Sequence, residues 1–349
     1  MSELDLGALG WDAGLAAEIE PHHLPGRVAV QHRGEYVVYT PLPDGELGEL
    51  RARLPGRLLH AGVAAAVGDW VALEGSTIVR VLPRRTALVR QAAGRETRAQ
   101  VLAANVDVAF VVTSLGPDLE PRRLERYLTL VWESGASPAI VLTKADLHAD
   151  AAEQALAVES VAIGVPVHVV SAVTGEGCDE LAGYLRPGVT VALLGSSGVG
   201  KSTLANRFAG TELLRTQAVR EDDGKGRHTT THRELILLPG GGLLIDTPGL
   251  RELQLWDGSD GGFTDAFADV EALAAECRFA DCGHLHEPGC AVLAAVDDGT
   301  LPLDRLRSWR KLQRELLAMA MRHDVLLRKR EGRKWRLAAQ EGRARARRR

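Results

Sequence analysis

Residues Gly195–Ser202 read Gly-Ser-Ser-Gly-Val-Gly-Lys-Ser, and this stretch decides the fold of the chain. The apolar run at 189–194 predicts a buried strand before it, and residues 203–208 predict a helix after it. Strand, glycine-rich turn with Lys-Ser and helix are the context of a P-loop, where backbone N–H groups and a helix N-terminus bind phosphates. A glycine-rich turn that binds nothing is the alternative, but the flanking elements favour a nucleoside triphosphate site.

The phosphate-binding candidates follow from the register of this loop. Lys201 is expected to reach the β- and γ-phosphates, and the Ser202 hydroxyl is expected to bind Mg²⁺. The candidate contacts extend into the first helical turn: Gly195, Ser196, Ser197, Gly198, Val199, Gly200, Lys201, Ser202 and Thr203.

The composition is typical of a soluble globular protein, with 45% hydrophobic and 25% charged residues in 349. This length suffices for two or three domains. No apolar run approaches the roughly 18 residues of a membrane span, and the acidic N-terminus does not resemble a signal peptide. Four cysteines do not make a disulfide scaffold in a chain of this length. We therefore expect a cytoplasmic protein without membrane contact.

Four segments differ in pattern: an N-terminal arm at 1–26, a strand-rich segment at 27–92, alternating strands and helices at 93–258, and a C-terminal segment at 259–349. The arm contains two prolines and no periodicity, which predicts a mobile or loosely docked segment. The second segment has five short strand-like runs, at 27–30, 35–39, 49–54, 69–73 and 77–82. They favour a small antiparallel β-barrel of the OB-fold type, which either binds RNA or is purely structural.

The third segment alternates strands with helices, which is typical of a doubly wound α/β domain with helices on both faces of its sheet. Strands are predicted at 106–112, 139–142, 165–170, 189–194, 234–238 and 243–245. Helices are predicted after Pro121 and at 151–161, 179–185 and 203–208.

Three further elements at strand ends are similar to guanine-nucleotide motifs. Thr143-Lys144-Ala145-Asp146 matches [NT]KxD, in which the aspartate accepts from N1–H and the 2-amino group of guanine, a donor pair that adenine lacks. Ser171-Ala172 matches the loop whose backbone N–H meets guanine O6. In Asp246-Thr-Pro-Gly249, a DxxG match, Asp246 is expected to hold Mg²⁺ through water and Gly249 to meet the γ-phosphate. These matches favour GTP, with a P-loop kinase or ATPase as the alternative.

The order of the motifs is unusual, because [NT]KxD and Ser-Ala precede the P-loop while the polar segment 222–231 and DxxG follow it. The same sheet wound from a different starting point gives this order, which predicts a circularly permuted P-loop GTPase domain. The threonines of 222–231 are candidates to bind Mg²⁺ and the γ-phosphate. Since DxxG leads directly to the C-terminal segment, a γ-phosphate signal is expected to pass there.

The C-terminal segment contains a candidate metal site. A Cys₃His set matches one structural zinc ion, with buried free thiols as the alternative and His286 as a competitor for the histidine position. The candidate ligands are Cys277, Cys282, His284 and Cys290.

A helix and a basic tail follow. Apolar residues recur at helical spacing after Gly299 and predict a docked helix. From Arg305 onward the sequence has 17 Lys or Arg against four Asp or Glu, a net +13 in a chain whose net charge is −4. Such a tail binds nucleic acid or is simply solvated.

The permuted motifs, the preceding barrel and the stretch Cys277–Cys290 (CRFADCGHLHEPGC) resemble the ribosome small subunit-dependent GTPase A (RsgA) family. The resemblance extends from about Gly26 to about Met321 and includes Val67-Gly-Asp69 and Ala103-Ala-Asn-Val-Asp107. It implies a monomeric GTPase that acts late in 30S subunit maturation, is stimulated by that subunit, and contacts 16S rRNA through its barrel and zinc domain.

The resemblance also implies roles for individual residues. Catalysis is expected from His228, Lys201 and Thr230, and Mg²⁺ ligation from Ser202, Thr230 and Asp246. The GTP contacts outside the P-loop are Thr143, Lys144, Asp146, Ser171, Ala172, Asp246 and Gly249. The zinc ligands are the Cys₃His set given above.

Two positions depart from the usual GTPase patterns. Thr143 stands where the family more usually has asparagine, which is expected to weaken a base or loop-bridging contact. Leu250 follows DTPG, where other GTPases carry a water-orienting glutamine, and leucine cannot orient water. His228 is the candidate substitute, with a ribosome contact as its alternative role. The alternative function is a nucleotide-gated RNA-binding regulator that needs no turnover.

Overall fold

A computed structural model describes residues 6–32, 34–91, 99–210, 233–246 and 261–323. These residues divide into two compact units. The first comprises the described residues up to Asp246 together with 261–266, and the second begins at Phe267. Among the described helices, none combines the length and apolar character needed to cross a membrane.

The N-terminal residues are docked, which corrects the expectation of a mobile or loosely docked arm for residues 6–26. A 3₁₀ helix at Leu6–Leu9 precedes helix α1 (Ala13–Ala16), which Asp12 caps by accepting from the Leu15 N–H at 3.0 Å. Leu9 and Leu15 are buried, and the Trp11 ring lies 4.8 Å from that of Trp70. Burial of these apolar side chains favours docking of the segment.

The next residues form the expected five-stranded barrel. Its strands are β1 (Leu24–Gln31), β2 (Tyr36–Pro41), β3 (Leu47–Ala52), β4 (Trp70–Glu74) and β5 (Thr77–Val81), with helix α2 (Gly56–His60) between β3 and β4. Neighbours pair antiparallel in the order β3-β2-β1-β4-β5, and a parallel bridge between Arg53 and Thr77 closes the ring. Alternating side chains such as Val28, Val38 and Ile78 fill the interior, giving an OB-type barrel.

A hairpin that the sequence patterns missed connects the barrel to the α/β sheet. It consists of β6 (Ala87–Gln91) and β7 (Ala99–Ala104), which form a two-stranded sheet of their own. Leu88 and Leu102 are completely buried. Apolar and polar residues alternate only weakly in these short strands, so their pairing could not be predicted from the sequence.

The α/β sheet has six strands in the order β10-β9-β8-β11-β13-β12. They are β8 (Val108–Ser114), β9 (Ser137–Thr143), β10 (Val167–Val169), β11 (Thr190–Leu194), β12 (Glu234–Leu237) and β13 (Leu243–Asp246). All run parallel except β12, which pairs antiparallel with β13. Val30 of β1 pairs with Glu234 of β12, so the barrel continues directly into this sheet.

Helices cover both faces of the sheet, as the alternation of elements predicts. They are α3 (Pro121–Ser134), α4 (Ala151–Glu159), α5 (Cys178–Ala182), α6 (Lys201–Ala209) and α7 (Gly261–Ala266), with a 3₁₀ turn at Ala145–Leu147. Phe110 and Leu193 pack with side chains of α5 and α6 on one face. Val111 and Ala192 point the other way and are also fully buried, while α3 packs on β8 and β9.

The second unit is helical. It contains α8 (Ala268–Ala275), α9 (Ala291–Asp297) and α10 (Leu303–His323). The predicted apolar stripe of α10 is confirmed where it is described, because Leu306, Trp309 and Leu312 are buried. The basic tail beyond His323 lies outside the described residues.

One buried cation joins several parts of the first unit. Arg27 of β1 is 2% exposed and donates to the carbonyls of Leu9, Gly68 (3.4 Å) and Asn105 (3.0 Å) and to Thr190 Oγ1 (2.7 Å). Its guanidinium also lies 5.4 Å from the centre of a Trp70 ring. Burial lowers the pKa of this guanidinium to about 10, so it stays charged at neutral pH. Arm, barrel and P-loop strand therefore share a single polar anchor.

The two stretches that support the family resemblance in this region meet at the same joint. The Ala104 N–H donates to Val67 O at 2.9 Å, and Asn105 Nδ2 donates to Gly68 O at 3.0 Å. Gly68 has φ +88, and a Cβ there would lie 2.1 Å from Ala104 O, so only glycine fits. Asp107 completes the joint by accepting the N–H of Thr190 at 2.7 Å.

Candidate nucleotide site and metal centre

The P-loop connects β11 to α6 in the conformation its glycines predict. Gly195 has φ +147, and a Cβ there would lie 2.1 Å from Val112 O, so the chain passes directly over the neighbouring strand. Gly200 caps α6 with φ +96. The loop therefore ends at the amino terminus of a nine-residue helix, where exposed N–H groups favour an anion.

Lys201 and its two neighbours occupy the first turn of α6. The Lys201 ammonium donates to Gly195 O at 2.9 Å and Ser196 O at 2.7 Å, so its charge lies across the mouth of the loop. Ser202 and Thr203 follow directly. A cation, a hydroxyl and the helix terminus are thus within one turn, which is the donor set that a triphosphate with Mg²⁺ requires.

Asp246 is the last residue of β13 and is 3% exposed. In the sheet register it lies opposite Leu193 of β11, two residues before Gly195. A buried carboxylate beside the P-loop matches the Mg²⁺-linked aspartate of DxxG. Gly249, His228 and Thr230 lie outside the described residues, so their sites stay predictions.

The guanine-reading candidates follow β9 and β10. Lys144 adopts the left-handed conformation (φ +63), and Asp146 lies in the 3₁₀ turn after it. The Ala145 N–H donates to Val170 O at 3.2 Å, which ties this turn to the end of β10. Since parallel strands present their carboxyl ends at one edge, the structure brings Asp146, Ser171, the P-loop and Asp246 to the same edge of the sheet.

Ser171 and Ala172 form a loop fixed by its own hydrogen bonds. Ser171 is completely buried, and its hydroxyl accepts the Thr174 N–H at 3.1 Å. Arg207 of α6 donates to Ala172 O at 3.4 Å and so links the P-loop helix to this loop. The loop backbone is therefore held in one shape before any base binds.

Thr143 makes a loop-bridging contact, although threonine in place of the more usual asparagine was expected to weaken such a contact. Its hydroxyl donates to Val199 O of the P-loop at 2.5 Å and lies 3.2 Å from Thr113 O. A hydroxyl carries a single proton, so the shorter contact with Val199 identifies its acceptor. Threonine thus makes the bridge between β9, which carries the [NT]KxD match, and the P-loop.

Replacing Thr143 with valine keeps the side-chain shape and removes this donor. We expect GTP affinity to fall by about fivefold, because one buried hydrogen bond contributes about 1 kcal/mol and Val199 O loses its partner. Thr143→Ser, the matched control, keeps the hydroxyl and should bind within about twofold of wild type. Equilibrium titration with a fluorescent GTP analogue measures both; equal affinity for the valine variant would remove the bridge from the site.

Sequence reasoning missed two arginines that support the nucleotide loops. Besides Arg207, Arg123 at the start of α3 donates to Ser196 Oγ at 2.9 Å and to Asp118 O at 3.0 Å. The contacts of Arg207 with Ala172 and of Arg123 with Ser196 join segments 35 and 73 residues apart in the chain. The sequence around a basic residue in a helix does not show whether its side chain contacts a loop elsewhere in the chain.

The second unit brings the predicted Cys₃His set together. The ligand atoms of Cys277, Cys282, His284 and Cys290 lie within 4.8 Å of one another. Cys277 Sγ is 3.8 Å from Cys290 Sγ, and His284 Nδ1 is 3.6 and 3.4 Å from these two sulfurs. Tetrahedral zinc with Zn–S of about 2.3 Å has S–S edges of about 3.8 Å, so the donors fit zinc.

Of the two candidate histidines, His284 lies in the cluster, whereas His286 is exposed and lies outside it. His284 has φ +53, and its carbonyl accepts from Arg310 of α10. The His284 ring packs against Trp309 at 5.2 Å, and Trp309 donates to Glu271 at 2.9 Å. Trp309 and Arg310 of α10 thus position a candidate ligand, a role that the sequence did not indicate.

The loop between the ligands is closed by a carboxylate. Glu287 accepts the N–H groups of Gly283 (3.1 Å), Leu285 (2.7 Å) and His286 (3.0 Å). The donation from His286 and the other backbone N–H groups holds the pKa of Glu287 at about 2. This loop geometry is therefore independent of pH in the neutral range.

Cys290→Ser should remove the metal. A hydroxyl is a poor zinc ligand, and Cys290 Sγ also accepts the Leu293 N–H at the start of α9. We expect bound zinc to fall from one equivalent to below about 0.1, and the amides of α9 to lose exchange protection. Cys178→Ser, in the other unit, is the control and should keep its zinc. Full zinc content in the Cys290 variant would exclude the Cys₃His site.

The site and fold define a circularly permuted GTPase: the strands that carry the [NT]KxD and Ser-Ala matches precede the P-loop in the chain, yet they lie in the same sheet as its strand. The chain belongs to the RsgA GTPase family, whose model matches residues 81–256. A second family model, described as 50S ribosome-binding GTPase, matches residues 190–324. The chain is accordingly a GTP hydrolase.

Known relatives cover nearly all of the chain. Proteins named small ribosomal subunit biogenesis GTPase RsgA are 47% identical in Opitutus terrae, over 99% of this chain and 98% of the relative. The protein of that name in Streptomyces avermitilis is 49% identical, over 96% of this chain and 92% of the relative. The crystal structure of YjeQ from Thermotoga maritima has TM-score 0.63 and 27% identity over 84% of this chain and 99% of that one. YloQ, described as a circularly permuted GTPase, has TM-score 0.59 and 26% identity over 86% and 96%.

Proposed function

We propose that this GTPase binds the small (30S) ribosomal subunit through 16S rRNA and acts late in its maturation, with hydrolysis stimulated by the subunit. The observation that carries the proposal is a permuted GTPase site in a chain whose relatives, matched almost end to end, are named for small-subunit biogenesis. The cytoplasm is then its place of action, and it works as a monomer.

Within this proposal the described loops bind GTP. Residues 195–203 hold the phosphates, Asp146 and the Ser171-Ala172 loop read guanine, and Ser202 with Asp246 holds Mg²⁺. Support comes from the shared sheet edge and from the Lys201 ammonium over the loop. Thr230 as a further Mg²⁺ ligand, Gly249 on the γ-phosphate and His228 orienting water complete the site.

The zinc domain receives the nucleotide signal. One structural Zn²⁺ at the Cys₃His set fixes the fold of the second unit, and the DxxG strand β13 leads towards it through α7. In this proposal GTP acts through the switch at 224–231, and hydrolysis releases the subunit. Barrel, zinc domain and basic tail supply the RNA-facing surfaces, because phosphate contacts need clustered Lys and Arg.

Asp146→Asn tests the guanine assignment. The amide offers a donor where the carboxylate accepts, so we expect GTP affinity to fall on the order of 10²-fold and xanthosine triphosphate to bind better than GTP. Competition titrations with GTP, xanthosine triphosphate and ATP measure this. Asp150→Asn, at an exposed position in the next turn, is the control and should keep the wild-type preference. An unchanged preference in the Asp146 variant contradicts the assignment.

Binding to the subunit is tested by co-sedimentation with purified 30S particles. We expect stoichiometric binding with a non-hydrolysable GTP analogue and little with GDP. Equal binding in both states contradicts the nucleotide control. His228→Ala separates the alternative function: a variant that binds GTP, fails to hydrolyse it and still completes subunit maturation would identify a regulator that needs no turnover.

A further inference from the structure

The first unit contains a second cluster of metal-ligating side chains, in the turn between α1 and β1. Glu20, His22 and His23 each offer one ligand atom, and these atoms lie within 4.8 Å of one another. Glu20 Oε2 is 3.6 Å from His22 Nε2, and the two imidazole rings have centroids 4.0 Å apart. The three donors therefore converge without a large movement of any side chain.

The backbone of this turn is already closed. The His23 N–H donates to Glu20 O at 3.0 Å, and Pro21 occupies the second position, where its fixed φ favours a β-turn. Strand β1 begins at Leu24, and the buried Leu15 holds the preceding helix. Because both ends are anchored, an ion bound here orders only side chains, which keeps the entropic cost of binding low.

The donor set has a defined chemistry. Two imidazoles and one carboxylate are the ligands of open zinc sites, which keep a position for water or another oxygen ligand. Glu20 and His22 side chains are 68% and 67% exposed, so an ion reaches them from solvent. Unlike the Cys₃His set, this cluster contains no thiolate and is accessible on one side.

We propose that Glu20, His22 and His23 form a second metal site that binds Zn²⁺ with at least one coordination position open to water or an oxygen anion. Occupancy raises the melting temperature of the first unit by mass action. Zinc displaces protons from imidazole, so its affinity falls on acidification. The proposal does not depend on the ribosomal function.

Calorimetric titration of the full chain, with its Cys₃His set already zinc-loaded, tests the proposal using Zn²⁺ alone. We expect one further equivalent to bind. His22→Ala should weaken that equivalent at least tenfold, and Glu20→Gln should also weaken it. His60→Ala, at an exposed histidine in α2, is the matched control and should leave it unchanged.

Cobalt(II) distinguishes the two sites, because only the Cys₃His set gives intense thiolate-to-metal charge-transfer absorption. The second equivalent of Co²⁺ should add no such band. Circular dichroism of the variants checks their fold, and the exposed positions of Glu20 and His22 make loss of fold unexpected. The proposal is overturned if the zinc-loaded wild type binds no further equivalent of Zn²⁺. It is also overturned if both His22→Ala and Glu20→Gln bind that further equivalent with unchanged affinity.

Discussion

Lys201→Ala is expected to reduce GTP hydrolysis on the order of 10²–10³-fold. The Lys201 ammonium lies within 3 Å of two P-loop carbonyls, where a γ-phosphate approaches. Loss of this cation removes a charge-assisted contact to the phosphates and leaves the developing negative charge without its nearest counter-charge. The loop backbone should keep its shape, because its glycines and the α6 terminus fix it.

Steady-state phosphate release and nucleotide titration separate the two parts of this effect. We expect a large loss in turnover and a smaller loss in GTP affinity, since the N–H groups of the loop persist in the variant. Lys311→Ala, at an exposed lysine of α10, is the control and should hydrolyse GTP at the wild-type rate without ribosomes. Wild-type turnover in the Lys201 variant would mean that residues 195–202 are not the phosphate site.

Arg27→Leu is expected to destabilise the first unit by about 3–5 kcal/mol. Leucine leaves the acceptors on Leu9, Asn105 and Thr190 without this donor, while Gly68 O keeps only the amide of Asn105. It also ends the contact between the guanidinium and Trp70. Arg27→Lys keeps the charge but cannot reach several acceptors at once, so it should be intermediate.

Urea unfolding followed by tryptophan fluorescence measures this loss. Trp70 and Trp11 report on the joint directly, since their rings are in contact beside the guanidinium. Arg57→Leu, at an exposed position of α2, is the matched control and should unfold at the wild-type midpoint. If Arg27→Leu also unfolds at the wild-type urea midpoint, contacts other than those of Arg27 hold the arm, the barrel and the P-loop strand together.

Elements with local signals were predicted from the sequence. The strands β8, β9 and β11 each contain a continuous apolar run, at 108–112, 139–142 and 191–194, and the P-loop has fixed spacing between its glycines and Lys201. Each of these requires only neighbours in the chain to be recognised. The circular permutation could also be predicted, because each nucleotide-binding motif directly follows a predicted strand and the order of the motifs is visible in the sequence.

Features that depend on distant partners could not be predicted. Arg27 contacts Thr190, which is 163 residues away, and docking of Leu9 depends on the same anchor. The side chains of the hairpin β6–β7 are likewise buried by residues distant in the chain. For the metal centre, the residue types predicted the ligands, but the choice of His284 over His286 depends on the φ of +53 and on Trp309.

GTP hydrolysis with and without purified 30S subunits tests the central claim most directly. The permuted site, with leucine at position 250, is expected to turn over slowly alone and at least tenfold faster with the subunit, and the increase should disappear in Lys201→Ala. Stimulation by 50S but not 30S particles, or an identical rate with and without 30S, would contradict a small-subunit GTPase.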